Sequence, residues 1–257
     1  MKDFFEIAGK VCLVTGASRG IGAAAARGLG ACGARVAVHY RSGKAEAEGV
    51  AADIEESGGK AMLVHGDVAD PATLDRILAE TVAGFGRLDI HINNAGDQIS
   101  RVNIADTSDE LFDTHVALNI RPTFSGSRAA VRQFRKQGSG GNIINVSSIA
   151  ARTGGGGGSY LYAGAKGFIS TFSRALAKEV ATEGIRVNVV SPGVIETDLQ
   201  NRVTSPEQLR STALQIPMRR VGMPDECTGA FLYLCSDNLC GYVTGQVIEI
   251  NGGLLMP

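Results

Sequence analysis

Short apolar runs alternate with longer stretches in which apolar residues recur every three or four positions, and the alternation continues along the whole chain. The short runs predict strands at Val11–Val14, Ala34–Val38, Lys60–His65, Leu88–Ile92, Gly141–Val146, Arg186–Val190 and Gln246–Ile250. Between them, helical spacing is expected from Ala23 to Leu29, Gly43 to Ser57, Pro71 to Phe85, Asp109 to Gly126, Ser127 to Gln137, about Tyr162 to Glu183, Thr204 to Gln215 and Pro224 to Cys235. Asp70-Pro71 supplies an N-cap followed by a proline at the first helical position. Repeated strand–helix units with short turns predict an α/β fold, a doubly wound parallel sheet with helices on both faces, and ligands outside the carboxyl ends of the strands.

The first strand runs into Thr15-Gly16-Ala17-Ser18-Arg19-Gly20-Ile21-Gly22 and then an alanine-rich helix start. Three glycines let the backbone turn sharply and bring bare N–H groups near a bulky anion, and the first helical turn adds unpaired donors and the positive end of the dipole. A pyrophosphate suits this turn, although a strand-to-helix turn without a ligand has the same residues. At the end of the second strand, His39-Tyr40-Arg41-Ser42 contains no carboxylate to hold a ribose 2′-hydroxyl. Arg41 and Arg19 instead offer planar donors for a 2′-phosphate, with Ser42 adding a hydroxyl, so NADP(H) is expected over NAD(H). Asp67 closes the third strand, where it can accept from an adenine amine or satisfy loop amides.

With 257 residues, the chain can bury the core of one α/β domain, and one domain spanning 1–257 is expected. A net charge of -1 gives no electrostatic reason to expect nucleic acid or an acidic membrane as partner. Met1 to Lys10 is too short and too charged for a signal peptide or spanning helix, which makes the cytoplasm the default location. Cys12, Cys32, Cys227, Cys235 and Cys240 include no C-x-x-C pair, so neither a disulfide framework nor a metal site is expected. Five consecutive glycines, Gly154 to Gly158, predict a mobile loop.

Candidate chemistry follows that loop. Tyr162 and Lys166 stand four apart on a helix and share a face, and a neighbouring ammonium favours the phenolate, drawing the tyrosine pKa towards neutral. Ser148, at the end of the preceding strand, can hydrogen-bond a carbonyl oxygen and steady the charge that grows on it. Ser147 is its alternative, and Tyr160 lies near Tyr162 but has no lysine four residues on.

Thr15-Gly16-x-x-x-Gly20-x-Gly22, Asn93-Asn94-Ala95-Gly96, Asn119, Ser148, Tyr162-x-x-x-Lys166 and Pro192-Gly193-x-x-x-Thr197 occur in an order that resembles the short-chain dehydrogenase/reductase family, with its Rossmann fold, from about Lys10 to Gly253. The resemblance implies hydride transfer between a nicotinamide and a ketone or secondary alcohol. It implies Tyr162 as general acid/base and Lys166 as the residue that binds the nicotinamide ribose and lowers the tyrosine pKa. Ser148 would orient the substrate oxygen, and Asn119 would hold a water that continues a proton relay. Cofactor contacts are implied for Gly16, Ser18, Arg19, Gly20, Ile21, Gly22, Tyr40, Arg41, Ser42, Asp67, Val68, Asn94, Ala95, Gly96, Tyr162, Lys166, Pro192, Gly193, Ile195 and Thr197. Asp67 and Val68 would meet adenine, Asn94 the adenosine side, and the Ile195 backbone with Thr197 the carboxamide.

The chain also resembles 3-oxoacyl carrier-protein reductases, yet Ser139 and Glu183 stand where basic residues would meet an acidic carrier, with Arg132, Arg135 and Lys136 nearby. A cofactor-binding regulator without catalysis is the alternative of another class. Phe168, Phe172, Leu176 and Val180 on the helix after Tyr162, with Leu254-Leu255-Met256, suggest an interface or burial against the sheet, and the resemblance implies a homotetramer. Substrate selection is expected in a lid from Thr197 to Pro217 and in the pentaglycine loop.

Overall fold

Val11–Val14 (β1) is buried at every position, with Cys12 and Val14 on one face of the sheet and Leu13 on the other. Burial on both faces explains why this strand reads as an unbroken apolar run. The structure, a computed structural model, describes residues 4–256, side chains 200, 201 and 203 excepted. Residues 1–3 and 257 of the expected 1–257 span lie outside the described residues, including part of the Met1–Lys10 segment.

The remaining strands are Arg35–Tyr40 (β2), Lys60–His65 (β3), Ile90–Asn93 (β4), Gly141–Val146 (β5), Ile185–Pro192 (β6) and Val247–Ile250 (β7). All pair in parallel, in the order β3-β2-β1-β4-β5-β6-β7. The chain winds outward from β1 to β3 and then returns to lay β4 against β1. That reversal opens a crevice at the carboxyl ends of β1 and β4.

Gly20–Ala31 (α1) and Lys44–Glu56 (α2) pack on one face, where Leu29 and Ile54 join Val36, Val38 and Ile92. Thr73–Phe85 (α3) covers the other face. The expected helix start at Pro71 moves to Thr73, because the Asp70 carboxylate accepts from Ala72 N at 3.0 Å and closes a turn first. Asp109–His115 (α4) passes through a π turn, Val116–Ile120, directly into Arg121–Gln137 (α5). Phe134 of α5 and Val180 of Tyr160–Val180 (α7) bury against Leu13, Ile143 and Val187.

Ala150–Thr153 (α6), Asp198–Val203 (α8) and Asp237–Cys240 (α11) are short helices not anticipated from the sequence. Pro206–Gln215 (α9) and Thr228–Cys235 (α10) complete the set. All five cysteines are buried and stand as thiols, none in a disulfide. Among the described residues no helix is long and apolar enough to cross a membrane, and no group of three His, Cys, Asp or Glu side chains is placed to hold a metal.

Candidate active site

A cleft of about 990 Å³ follows the carboxyl ends of the strands, at the upper end of the range for small-molecule sites. Its floor begins at the turn between β1 and α1, where Gly16 and Gly20 take φ of +63° and +56°, a region that disfavours side-chain-bearing residues. A side chain at Gly22 would place a Cβ 2.3 Å from Gly16 O, so that glycine serves close packing behind the turn. No side chain caps the start of α1 and no acid lies in its first turn. Its open N–H groups therefore face the cleft with the positive dipole end.

Two contacts hold this turn from behind. Thr15 Oγ1 accepts from Asn94 N and Ala95 N, both at 3.0 Å, while Asn94 Nδ2 donates to Thr15 O and Gly16 O at 2.9 and 3.1 Å. The threonine–glycine and asparagine–glycine motifs are thus two halves of one joint. His39 makes the second contact: Gly16 N donates to Nδ1 at 3.0 Å, and Nε2–H donates to Gly66 O at 3.1 Å. Burial pushes the His39 imidazole down to about 4, which keeps it neutral and able to accept from Gly16.

Beside the ends of β2 and β3 the cleft is lined by Arg19, Arg41, Ser42, Asp67 and Val68. Carboxylates sit beside both guanidiniums. Arg19 lies 3.5 Å from Glu46 and from Asp198, and Arg41 lies 3.8 Å from Asp67. Glu46, in the first turn of α2, gave no signal in the sequence because it is remote from the glycine motif until the chain folds. Asp67 also accepts from Ala69 N at 3.0 Å, so it combines loop closure with its place in the wall.

The opposite end holds Ser148, Tyr162 and Lys166 together. Ser148 follows β5, accepts from Ala150 N at 3.2 Å and lines the cleft beside Tyr162. Lys166, one turn further along α7, is buried, donates from Nζ to Val146 O at 2.8 Å and lies 5.5 Å from the Tyr162 ring centroid. Ser147 is turned away to Lys166 O and Ser170 Oγ, at 2.8 and 2.9 Å, where it ties β5 to α7. The Tyr160 hydroxyl is engaged by Thr107.

The electrostatics differ from the sequence expectation. Burial pushes the Tyr162 phenol up to about 12, the neighbouring Ser148 hydroxyl opposes this, and the Asp97 carboxylate adds to it. Lys166 does not draw the phenol towards neutral, because desolvation dominates and the ammonium is committed to Val146 O. Burial also brings Lys166 down to about 8. At neutral pH the pair is a protonated phenol beside an ammonium, a proton-donating arrangement.

Of the other residues singled out in the sequence, Ser18, Ile21, Ala95, Gly96, Pro192, Gly193, Ile195 and Thr197 line the cleft. Gly22, Tyr40 and Asn119 do not. Tyr40 packs on the core and against the His65 ring, 5.1 Å between centroids. Asn119, in the π turn, accepts from Asp97 N and donates to Asp97 O, both at 3.0 Å, and to His115 O at 3.2 Å. Its amide fixes the loop of Gly96, where a Cβ would meet Asn119 Oδ1 at 2.9 Å and Lys166 Nζ at 3.4 Å.

Beyond Tyr162 the cleft continues under α8 and α9. Arg202 of α8 reaches Asp97 at 2.6 Å, and Arg101 donates to Thr204 Oγ1 at 3.3 Å. The pentaglycine segment is stitched down: Val102 N donates to Gly158 O at 3.2 Å, and Ser159 N to Gly156 O at 3.0 Å. A Cβ at Gly158 would lie 2.8 Å from Val102 N, so close backbone approach, in addition to freedom, accounts for glycine there.

Residues 16–255 match the family model described as enoyl-(acyl carrier protein) reductase. The chain is 40% identical over 252 residues to the 3-oxoacyl-[acyl-carrier-protein] reductase of Escherichia coli, covering 96% of this chain and 98% of that protein. A short-chain type dehydrogenase/reductase from Mycobacterium marinum superposes with a TM-score of 0.93 at 35% identity, covering 99% of both chains. An NADH-dependent reductase responsible for alginate metabolism superposes with a TM-score of 0.90 at 31% identity, over 99% of this chain and all of that one. With a glycine turn, a seven-stranded parallel sheet and a Ser–Tyr–Lys cluster in one cleft, and near-full-length relatives of this kind, the chain belongs to the short-chain dehydrogenase/reductase family of oxidoreductases.

Proposed function

We propose that the protein is an NADP(H)-dependent oxidoreductase that reduces a ketone, or reversibly oxidises the secondary alcohol, in one catalytic unit with residues 197–217 as substrate lid. The observation that carries this reading is that Tyr162, Ser148 and Lys166 line one end of the same cleft as the open start of α1, with the Tyr162 phenol kept protonated by burial. A nicotinamide held in this cleft would supply, or take up, the hydride at the carbonyl carbon. Tyr162 gives its proton to the carbonyl oxygen, and Ser148 holds that oxygen with its hydroxyl. Lys166 holds the cofactor ribose and keeps a positive charge next to the phenol as it becomes phenolate. Asn119 acts as a positioning residue through the Gly96–Asp97 backbone. The Thr15–Asn94 joint and His39 set the glycine turn for the pyrophosphate.

The NADP(H) preference is supported by Arg19 and Arg41 at a strand end that lacks a carboxylate, although Glu46 and Asp67 temper both charges. The test is steady-state oxidation of NADPH and of NADH by the purified protein across ketones, sugars, steroids and acyl thioesters. NADPH is expected to give the higher kcat/KM. Arg41→Ala is expected to lower kcat/KM for NADPH by about 10-fold or more, the worth of a hydrogen bond to a charged group, and to leave NADH little changed. Binding of NADPH with turnover of no carbonyl would instead support a regulator.

A carrier-protein reductase is the second reading, favoured by the Escherichia coli relative. Against it, Arg135 is engaged by both Glu183 oxygens at 2.7 Å and lies 3.7 Å from Glu179, so its charge is already answered.

A homo-oligomer, a tetramer by family likeness, is also proposed. Val180 is fully buried and Leu176 packs on the core, whereas Phe168, Phe172 and Phe124 form an outward-facing aromatic cluster with Arg128 over the Phe124 ring. Light scattering is expected to give about four times the chain mass. Phe168→Asp is expected to lower it. The cytoplasm as working location is supported by five cysteines kept as thiols, with no disulfide among them.

A further inference from the structure

We infer that the substrate carries a carboxylate some distance from its carbonyl, and that Arg101 is the residue that selects it; this rests on the reductase reading above. Past Tyr162, the charged side chains lining the cleft are Asp97, Arg101, Asp198 and Arg202, of which Asp198 is turned to Arg19 at 3.5 Å. Arg202 and Asp97 neutralise each other at 2.6 Å. Arg101 bonds a neutral hydroxyl, Thr204 Oγ1, and faces no carboxylate among the described residues. One positive charge is therefore left over at the substrate end.

The surroundings suit a polar anion. Gln98, buried in the wall, donates to Ser159 Oγ at 2.7 Å and adds an amide to the lining. Gln208, Ser211 and Thr212 of α9 line the same end. Space beside the guanidinium is open on the side of the pentaglycine turn: a Cβ at Gly156 would lie 3.9 Å from Arg101 Nη1, and one at Gly157 would touch nothing within 4 Å. The backbone bond between Val102 and Gly158 fixes the Arg101 segment against that turn. A guanidinium held in this way, with forked donors, matches a carboxylate in two-point contact.

The test compares short oxo-carboxylic acids, with the ketone at successive distances from the acid, against their neutral methyl esters, using NADPH. For the best-fitting chain length, the wild-type protein is expected to favour the acid by about 10- to 100-fold in kcat/KM. In Arg101→Gln that ratio collapses through KM of the acid, and Arg101→Lys restores part of it. An equal loss for acid and ester, the result of a merely structural role, overturns the assignment, as does an ester used as well as its acid. Faster reduction of phosphopantetheine thioesters, lost in Arg101→Gln, would assign the arginine to a carrier phosphate and also overturn it. If neutral ketones react without any acid preference, only this inference fails; if no ketone of either kind reacts, the reductase reading fails with it.

Discussion

Replacing Tyr162 by phenylalanine is expected to lower ketone reduction by about 10²- to 10⁴-fold, the usual worth of a positioned proton donor, with NADPH bound nearly as tightly as before. The ring volume is kept, and so is the face under Lys166 Nζ. What disappears is the hydroxyl that shares the cleft with Ser148 and is protonated throughout the neutral range. Tyr160 offers no substitute, because its hydroxyl is engaged by Thr107. Single-turnover hydride transfer, together with NADPH fluorescence titration, separates chemistry from binding. Turnover within tenfold of wild type would remove Tyr162 from the acid role.

The second large effect separates activity from stability. Lys166→Met is expected to abolish most turnover and yet to raise the melting temperature near pH 7. The lysine pKa falls from 10.5 to about 8 through burial, so between these values the folded protein binds fewer protons than the unfolded chain. Stability at this site accordingly rises with pH across that window: the penalty of the buried charge is complete below about 8 and gone above 10.5. A shift of that size corresponds to about 3 kcal/mol, against about 1 kcal/mol lost with the bond to Val146 O. Calorimetry of both proteins from neutral to alkaline pH should show the variant ahead by a few degrees, with the gap closing as pH rises beyond about 8. A variant less stable at every pH would mean that the ammonium is better solvated than its burial implies. The same titration sets the alkaline limit of wild-type ketone reduction, which should fall as pH passes about 8.

Much of the architecture was legible because strands buried on both faces, such as Val11–Val14 and the Val36-Ala37-Val38 stretch of β2, must be apolar at successive positions. Tyr162 and Lys166 were legible for a similarly local reason, since four residues is about one helical turn. Features built by distant segments were not. Arg202 meets Asp97 across 105 positions, and Glu46 reaches Arg19 only once α2 has packed beside the glycine turn. Asn119 was found by its place in a family pattern, but its work on the backbone of Asp97 depends on a π turn that no local spacing announces. The Tyr162 titration ran opposite to expectation because proximity to an ammonium is visible in a sequence and the loss of water around a hydroxyl is not.

The bridge between Arg202 and Asp97 joins a helix over the cleft to the loop beneath it, and both partners remain partly open to water. Exposed pairs of this kind contribute about 1 kcal/mol or less, a preference of only a few-fold. Such a fastening behaves as a spring catch rather than a bolt: ordinary thermal agitation releases it, added salt loosens it, and molecules can come and go without any dedicated signal to open the door.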